Sequence, residues 1–189
     1  MNPSLTVLLP VHNAQATLSA TVTEVLDVAA DLDESFELLI VDDGSTDPTV
    51  IAMLQAFAAH DERVRVVIRE EQGGIVAASS DALAAATGDY VALLDHDDEL
   101  DPYALSAMLE VREPAKVAHR DPDRILPDGR YGPRDHQPDF SPEQLRNQNY
   151  VLHLVVAHRE TVLDVGGFRE GFDGAQDHDL LLRLAEVAG

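Results

Sequence analysis

Asp95, Asp97, Asp98 and Glu99 crowd together directly behind a short apolar run, residues 90–94, that Gly88-Asp89 introduces. Like charges packed at the mouth of a strand resist joint ionisation. A hard divalent cation held through oxygen ligands would offset that repulsion. A solvated acidic loop is the competing reading, and this stretch alone does not separate the two. Other polar residues also stand just after apolar runs: His12 after the first, Asp42 and Asp43 after the second, and Gly73-Gly74 after the third.

The totals limit what such a site would serve. A chain of 189 residues is long enough for one domain with a substantial core. A formal net charge of -22 argues against nucleic acid or an anionic membrane surface as partner of the bare protein. An anionic substrate would need a metal or clustered arginines, and Lys116 is the only lysine. The absence of cysteine excludes disulfides and thiolate chemistry and implies no oxidising compartment. No apolar run approaches membrane-spanning length and no leader pattern is visible. The expectation is a cytoplasmic protein, free or held at the inner face of a membrane through partners.

The elements that would position these residues follow from periodicity. Strands are expected at 5–9, 36–41, 64–68, 90–94 and 151–157. Helices are expected at 16–32, 75–86, 102–111, 142–147, 159–165 and 177–187, with another starting at Pro48 behind an Asp47 cap and carrying Val50, Ile51, Leu54 and Phe57. Residues 113–142 read as irregular connection, with Asp128-Gly129 as a turn signal for a hairpin and disorder as the competing reading. Alternating strands and helices predict an α/β domain with a mostly parallel sheet and helices on both faces. In such sheets ligands bind outside the carboxyl ends of the strands. For a strand order of 3-2-1-4, residues 10–13, Asp42-Asp43, 71–74 and 95–98 would open into one crevice.

These residues carry a resemblance. Leu8-Leu-Pro-Val-His-Asn13, Ile40-Val-Asp-Asp-Gly-Ser-Thr-Asp47, Gly73-Gly-Ile-Val-Ala-Ala-Ser79 and Thr87 through Asp98 are similar to the motifs of family 2 glycosyltransferases, whose fold is the Rossmann-like GT-A. Gln148-Asn-Tyr-Val-Leu-His153 and Val165 through Arg183 continue the pattern in the same order. The later segments most resemble the bacterial branch that builds surface polysaccharides, rhamnosyltransferases among them. The resemblance implies a single domain, with residues 1–112 binding a nucleotide-diphosphate sugar and 113–189 carrying acceptor and catalytic functions. It implies inverting transfer to a glycan, lipid-linked or other hydroxyl acceptor, with Mg2+ or Mn2+ as cofactor.

Site roles come from the same resemblance. Pro10, Val11 and His12 would line the nucleobase pocket, Asp42 and Asp43 would bind base or ribose, and Gly73 and Gly74 would let backbone approach the nucleotide. Asp95 and Asp97 match the family's D-x-D, with Asp97 the direct metal ligand and His96 beside the donor. Asp177 would be the general base and Asp179 its rival; Arg183 would serve a phosphate or pair with an aspartate. Asp177 could equally be only a helix cap, and His153 either a core histidine or an acceptor-site residue. Gln176 stands where many members have glutamate, 119–123 departs from the usual segment, and Gln137 replaces a common lysine. The chain ends at Gly189, where relatives continue, so it reads as truncated, one module, or a short form. A nucleotide-sugar-binding domain without turnover is the alternative. A phosphorelay receiver fits poorly, because the acidic pair follows the second strand and Lys116 is badly placed.

Overall fold

The computed structural model describes residues 4–30, 32, 35–110, 117–119, 130, 132, 141–151 and 154–188. In chain order these form β1 (Leu5–Val11), α1 (Leu18–Ala30), β2 (Phe36–Asp42), α2 (Pro48–His60), β3 (Val64–Ile68), α3 (Ile75–Ala85) and β4 (Tyr90–Leu93). They continue with α4 (Ala104–Glu110), β5 (Val117–His119), α5 (Pro142–Asn147), β6 (Val155–His158), α6 (Arg159–Asp164) and α7 (Gln176–Ala188). One sheet holds all six strands in the order β3-β2-β1-β4-β6-β5. The expected 3-2-1-4 order holds, with β1 to β4 mutually parallel.

Alternation along the strands divides the core. Leu5, Val7 and Leu9 of β1 pack with α1, α2 and α4 on one face of the sheet. Leu8, Leu39 and Val41 pack on the other with Ala82 and Leu83 of α3, Val162 of α6, and Leu180 and Leu184 of α7. A third cluster joins Leu145 of α5 to Tyr150, Val151, Val155, Leu181 and Ala185. Asp47 caps α2 as its spacing predicts, its carboxylate accepting from Thr49 N at 2.9 Å with Pro48 in the first turn.

The last half departs from expectation in one useful respect. The strand read at 151–157 begins only at Val155, because β4, its antiparallel partner, spans just Tyr90–Leu93. Val151 is buried but serves the α5–α7 cluster instead. Val155 pairs with Leu93, so β6 starts where β4 finishes. The chain entering β6 therefore arrives at the same edge as the carboxyl ends of β1 to β4. The expected hairpin at Asp128-Gly129 lies outside the described residues.

At the opposite edge a buried carboxylate ties strand starts together. Glu37, 5% exposed, accepts at Oε1 from Thr6 Oγ1 (2.7 Å), Thr87 N (2.7 Å) and Thr87 Oγ1 (2.9 Å), and at Oε2 from Arg65 Nη1 (2.8 Å). Burial by itself raises its pKa, but the hydrogen bonds from Arg65, Thr6 and Thr87 outweigh burial and leave it below the ordinary value. A carboxylate depressed in the fold stabilises above its unfolded pKa, about 4, and loses that contribution as pH falls through the folded pKa. The melting temperature is therefore expected to drop between pH 5 and 3, and to drop less in Glu37→Gln, as thermal unfolding across that range would record.

Candidate active site

Two loops at the carboxyl edge are stitched together before any ligand is considered. Asn13 takes a left-handed conformation (φ 49°) and its Oδ1 accepts from Thr46 N at 3.0 Å, while its own N–H donates to Ser45 Oγ at 2.8 Å. Asp42 is fully buried, and its carboxylate accepts from both the amide and the hydroxyl of Ser45. His12 donates from Nδ1 to the Asp43 carbonyl at 2.8 Å and accepts at Nε2 from Asn13 Nδ2 at 3.0 Å. Those two bonds set the tautomer and leave the ring faces as its contact surface.

Asp43 organises the glycine turn. Its Oδ1 and Oδ2 accept from Gly73 N and Gly74 N, both at 2.8 Å, and Arg69 Nε stands 3.0 Å from Oδ1. Arg69 also pairs with Asp81 of α3. Gly44 (φ 65°) passes so close to this turn that a Cβ there would lie 2.6 Å from Gln72 N. Gly74 (φ 86°, ψ 171°) occupies backbone space reserved for glycine. A Cβ on it would meet Asp173 Oδ1 at 2.6 Å. Asp173 reaches over from the loop before α7, and the same Oδ1 accepts from Val76 N at 3.3 Å.

The acidic loop after β4 hangs from α1. Thr21 Oγ1 donates to the His96 carbonyl at 2.7 Å, and Thr17 Oγ1 is hydrogen-bonded to His96 Nδ1 at 3.1 Å. Asp98 N bonds back to the Asp95 carbonyl at 3.3 Å, tightening the turn. Asp95 is half-buried and Asp97 exposed. Among the described residues no group of three or more His, Asp or Glu side chains is arranged to hold a metal ion. Two neighbouring carboxylates still suit a hard cation that completes its shell with substrate phosphates, the usual habit of Mg2+.

Asp177, on the first turn of α7, lines a cleft with Pro10, Leu93, Leu94, Asp95 and Phe168. This puts the expected base and the loop after β4 on one hollow although Asp95 and Asp177 are 82 positions apart. Asp179 faces elsewhere: it is 6% exposed and paired with Arg169 and Arg183. Burial raises its pKa, and the hydrogen bonds and charges of the two arginines more than reverse that, leaving it below the ordinary value. Arg183 donates to the carbonyls of Val165 and Gly167, both at 2.6 Å, so it ties α7 to the end of α6 rather than reaching the cleft. His153 lies outside the described residues.

Several residues were not legible beforehand. Arg69, Thr17, Thr21, Asp173 and Asn149 act through partners distant in sequence, and only Asp173 and Asn149 fell inside a motif. Asn149 Nδ2 donates to Asp177 Oδ2 at 2.7 Å across 28 positions.

A mostly parallel sheet with acidic loops on its carboxyl edge and an antiparallel strand beside β4 is the GT-A glycosyltransferase fold. A mannosyltransferase from Pyrobaculum calidifontis in complex with GDP-Man and Mn2+ matches with a TM-score of 0.73 at 21% identity, over 98% of this chain and 52% of that one. Residues 6–162 match the description Glycosyl transferase family 2, and the chain belongs to that family. The uncharacterized protein y4gI of Sinorhizobium fredii is 43% identical over 187 residues, 97% of this chain and 20% of its own length. The O-antigen biosynthesis protein RfbC of Myxococcus xanthus is 38% identical over 189 residues, 98% of this chain and 15% of its own length. The chain thus spans a fifth or less of these relatives.

Gly74→Ala is expected to destabilise the chain by about 1–3 kcal/mol in urea unfolding, from backbone strain and displacement of Asp173.

Proposed function

We propose that this chain moves a sugar from a nucleotide-diphosphate donor to a hydroxyl of a glycan or lipid-linked acceptor, with inversion, in polysaccharide or glycoconjugate synthesis. The observation that carries the reading is the shared cleft of Asp95 and Asp177. In it, Asp177 accepts the proton of the acceptor hydroxyl as that oxygen bonds to the anomeric carbon. The bond from that carbon to the diphosphate breaks on the opposite side, and the electron pair leaves with the diphosphate. With Asp95 assigned to the donor side, Asp177 is the remaining carboxylate among the described residues that line the cleft, which suits a single displacement. General-base assistance of this kind is worth on the order of 100- to 10,000-fold.

Asp95 and Asp97 would hold Mg2+ or Mn2+, which when bound supplies Lewis-acid stabilisation of the leaving diphosphate. The presence of Mn2+ with GDP-Man in the Pyrobaculum neighbour supports that assignment. So sparse a protein ligand set leaves room for donor phosphates in the metal's shell. His12 offers a ring face to the nucleobase, beside Pro10 and Val11. Asp42 and Asp43 act mainly by shaping the pocket, since their oxygens already accept protein hydrogen bonds. A direct bond from Asp43 to base or ribose would use a remaining lone pair of its carboxylate. Asp179 is the weaker candidate base, because two arginines stabilise its ionised form and disfavour proton uptake.

Thermal shift with UDP-, GDP- and dTDP-sugars identifies the donor, and calorimetry with Mn2+ then separates the roles. Asp97→Ala is expected to abolish metal-dependent donor binding. Asp177→Asn should keep donor affinity and lose transfer by at least about 100-fold. Equal loss of binding and transfer in Asp177→Asn would remove the base assignment, and binding without transfer in the unaltered chain would mark a donor-binding domain.

A further inference from the structure

We infer that Asn149 is a positioning residue for the carboxylate of Asp177, an assignment that rests on reading Asp177 as the base. Asn149 lies between α5 and β6, in the stretch that β6's antiparallel direction delivers to the carboxyl edge of the sheet. Its Nδ2 donates to Asp177 Oδ2 at 2.7 Å. The other end of the same amide, Oδ1, is buried and has no hydrogen-bond partner among the described residues. A buried amide oxygen left unpaired is costly, and native structures rarely keep one without reason. Turning the amide over would aim Oδ1 at a carboxylate oxygen, acceptor against acceptor. The bond to Asp177 therefore dictates the side chain's orientation at the expense of its own satisfaction.

The surroundings hold both partners in place. Tyr150, next in the chain, is 9% exposed, and its hydroxyl accepts from Ser141 N at 2.6 Å. Ser141 in turn caps α5, accepting from Gln144 N. On the other side, His178 donates from Nε2 to the Leu145 carbonyl at 2.5 Å, pinning the first turn of α7 to α5. Asn149 and Asp177 are thus each set beside a residue anchored to the same helix. The amide holds Oδ2 and so fixes the plane of the carboxylate, and Oδ1 is then the oxygen that takes the proton. A carboxylate free to rotate about its last bond would present either oxygen, and displacement of about 1 Å in a reacting group can cost on the order of 100-fold in rate.

The test compares Asn149→Ala, the isosteric Asn149→Asp and, as control, Asn147→Ala, which removes an exposed amide that donates to the Glu143 carbonyl of α5. Each is assayed with Mn2+ and GDP-mannose, UDP-N-acetylglucosamine and dTDP-rhamnose, and the nitrogen-15 NMR signals of the Asn149 amide are followed in Asp177→Asn. Expected are a kcat about 10- to 100-fold lower in both Asn149 variants, with KM for the donor and melting temperature unchanged in Asn149→Ala, and an unaffected Asn147→Ala. The Asn149 amide signals should shift in Asp177→Asn; unshifted signals would show that the bond is absent and overturn the proposal. Transfer lost in Asp177→Asn but intact in both Asn149 variants overturns the role of Asn149 alone. A parallel fall in donor affinity or melting temperature in Asn149→Ala overturns it too, by marking a structural part. Transfer that survives Asp177→Asn overturns the base assignment itself.

Discussion

Parallel strands end together, and this constraint organises the molecule. Because β1, β2, β3 and β4 run the same way, every loop that follows one of them opens on a single edge. The antiparallel β6 adds to that edge from the other direction, since its beginning pairs with the end of β4. The hydrogen-bond ladder therefore brings His12, Asp43, Gly73, Asp95 and Asn149 to one side without any contact among them having to enforce it. Helix α7 supplies the remaining piece by packing Leu180 and Leu184 against the same sheet.

Crowding acids onto one edge of a chain with 35 acidic and 13 basic residues creates a repulsion that must be met locally. Most of the buried carboxylates meet it with named partners. Asp42 takes donors from Ser45, Asp43 takes the amides of the glycine turn and is ion-paired with Arg69, Asp179 takes donors from Arg169 and Arg183, and Glu37 from Arg65 and two threonines. The arginines thus serve the architecture. Their guanidinium forks bind carboxylates and carbonyls at once, as Arg183 does. Asp97, by contrast, is exposed on the loop that α1 steadies through His96.

The fold was largely legible because its signals are local. The run 64–68 is a strand between charged turns, the Asp47-Pro48 pair starts α2, and the leucines of α7 recur at helical spacing. Where local signals misled, tertiary pairing prevailed: Val151 is as apolar as Val155, yet only the latter has a β4 residue opposite it. The candidate site divides similarly. Its acids were recognisable by type and by position after strands, but their employment was not. Asp42 and Asp43 look alike in sequence, whereas one holds a serine and the other holds a glycine turn and an arginine.

The primary structure alone determined the alternation of strands and helices, the run of carboxylates after β4 and the family these motifs resemble, because each is written in neighbouring residues. Only the tertiary structure gives Asp177 and Asp179 their different surroundings. They sit two positions apart on one helix, about 200° around its axis, so one opens on the cleft while the other is clamped by arginines. It alone also joined Asn149 to Asp177, since a hydrogen bond between residues 28 positions apart depends on how α5, β6 and α7 pack and leaves no periodic trace in the chain.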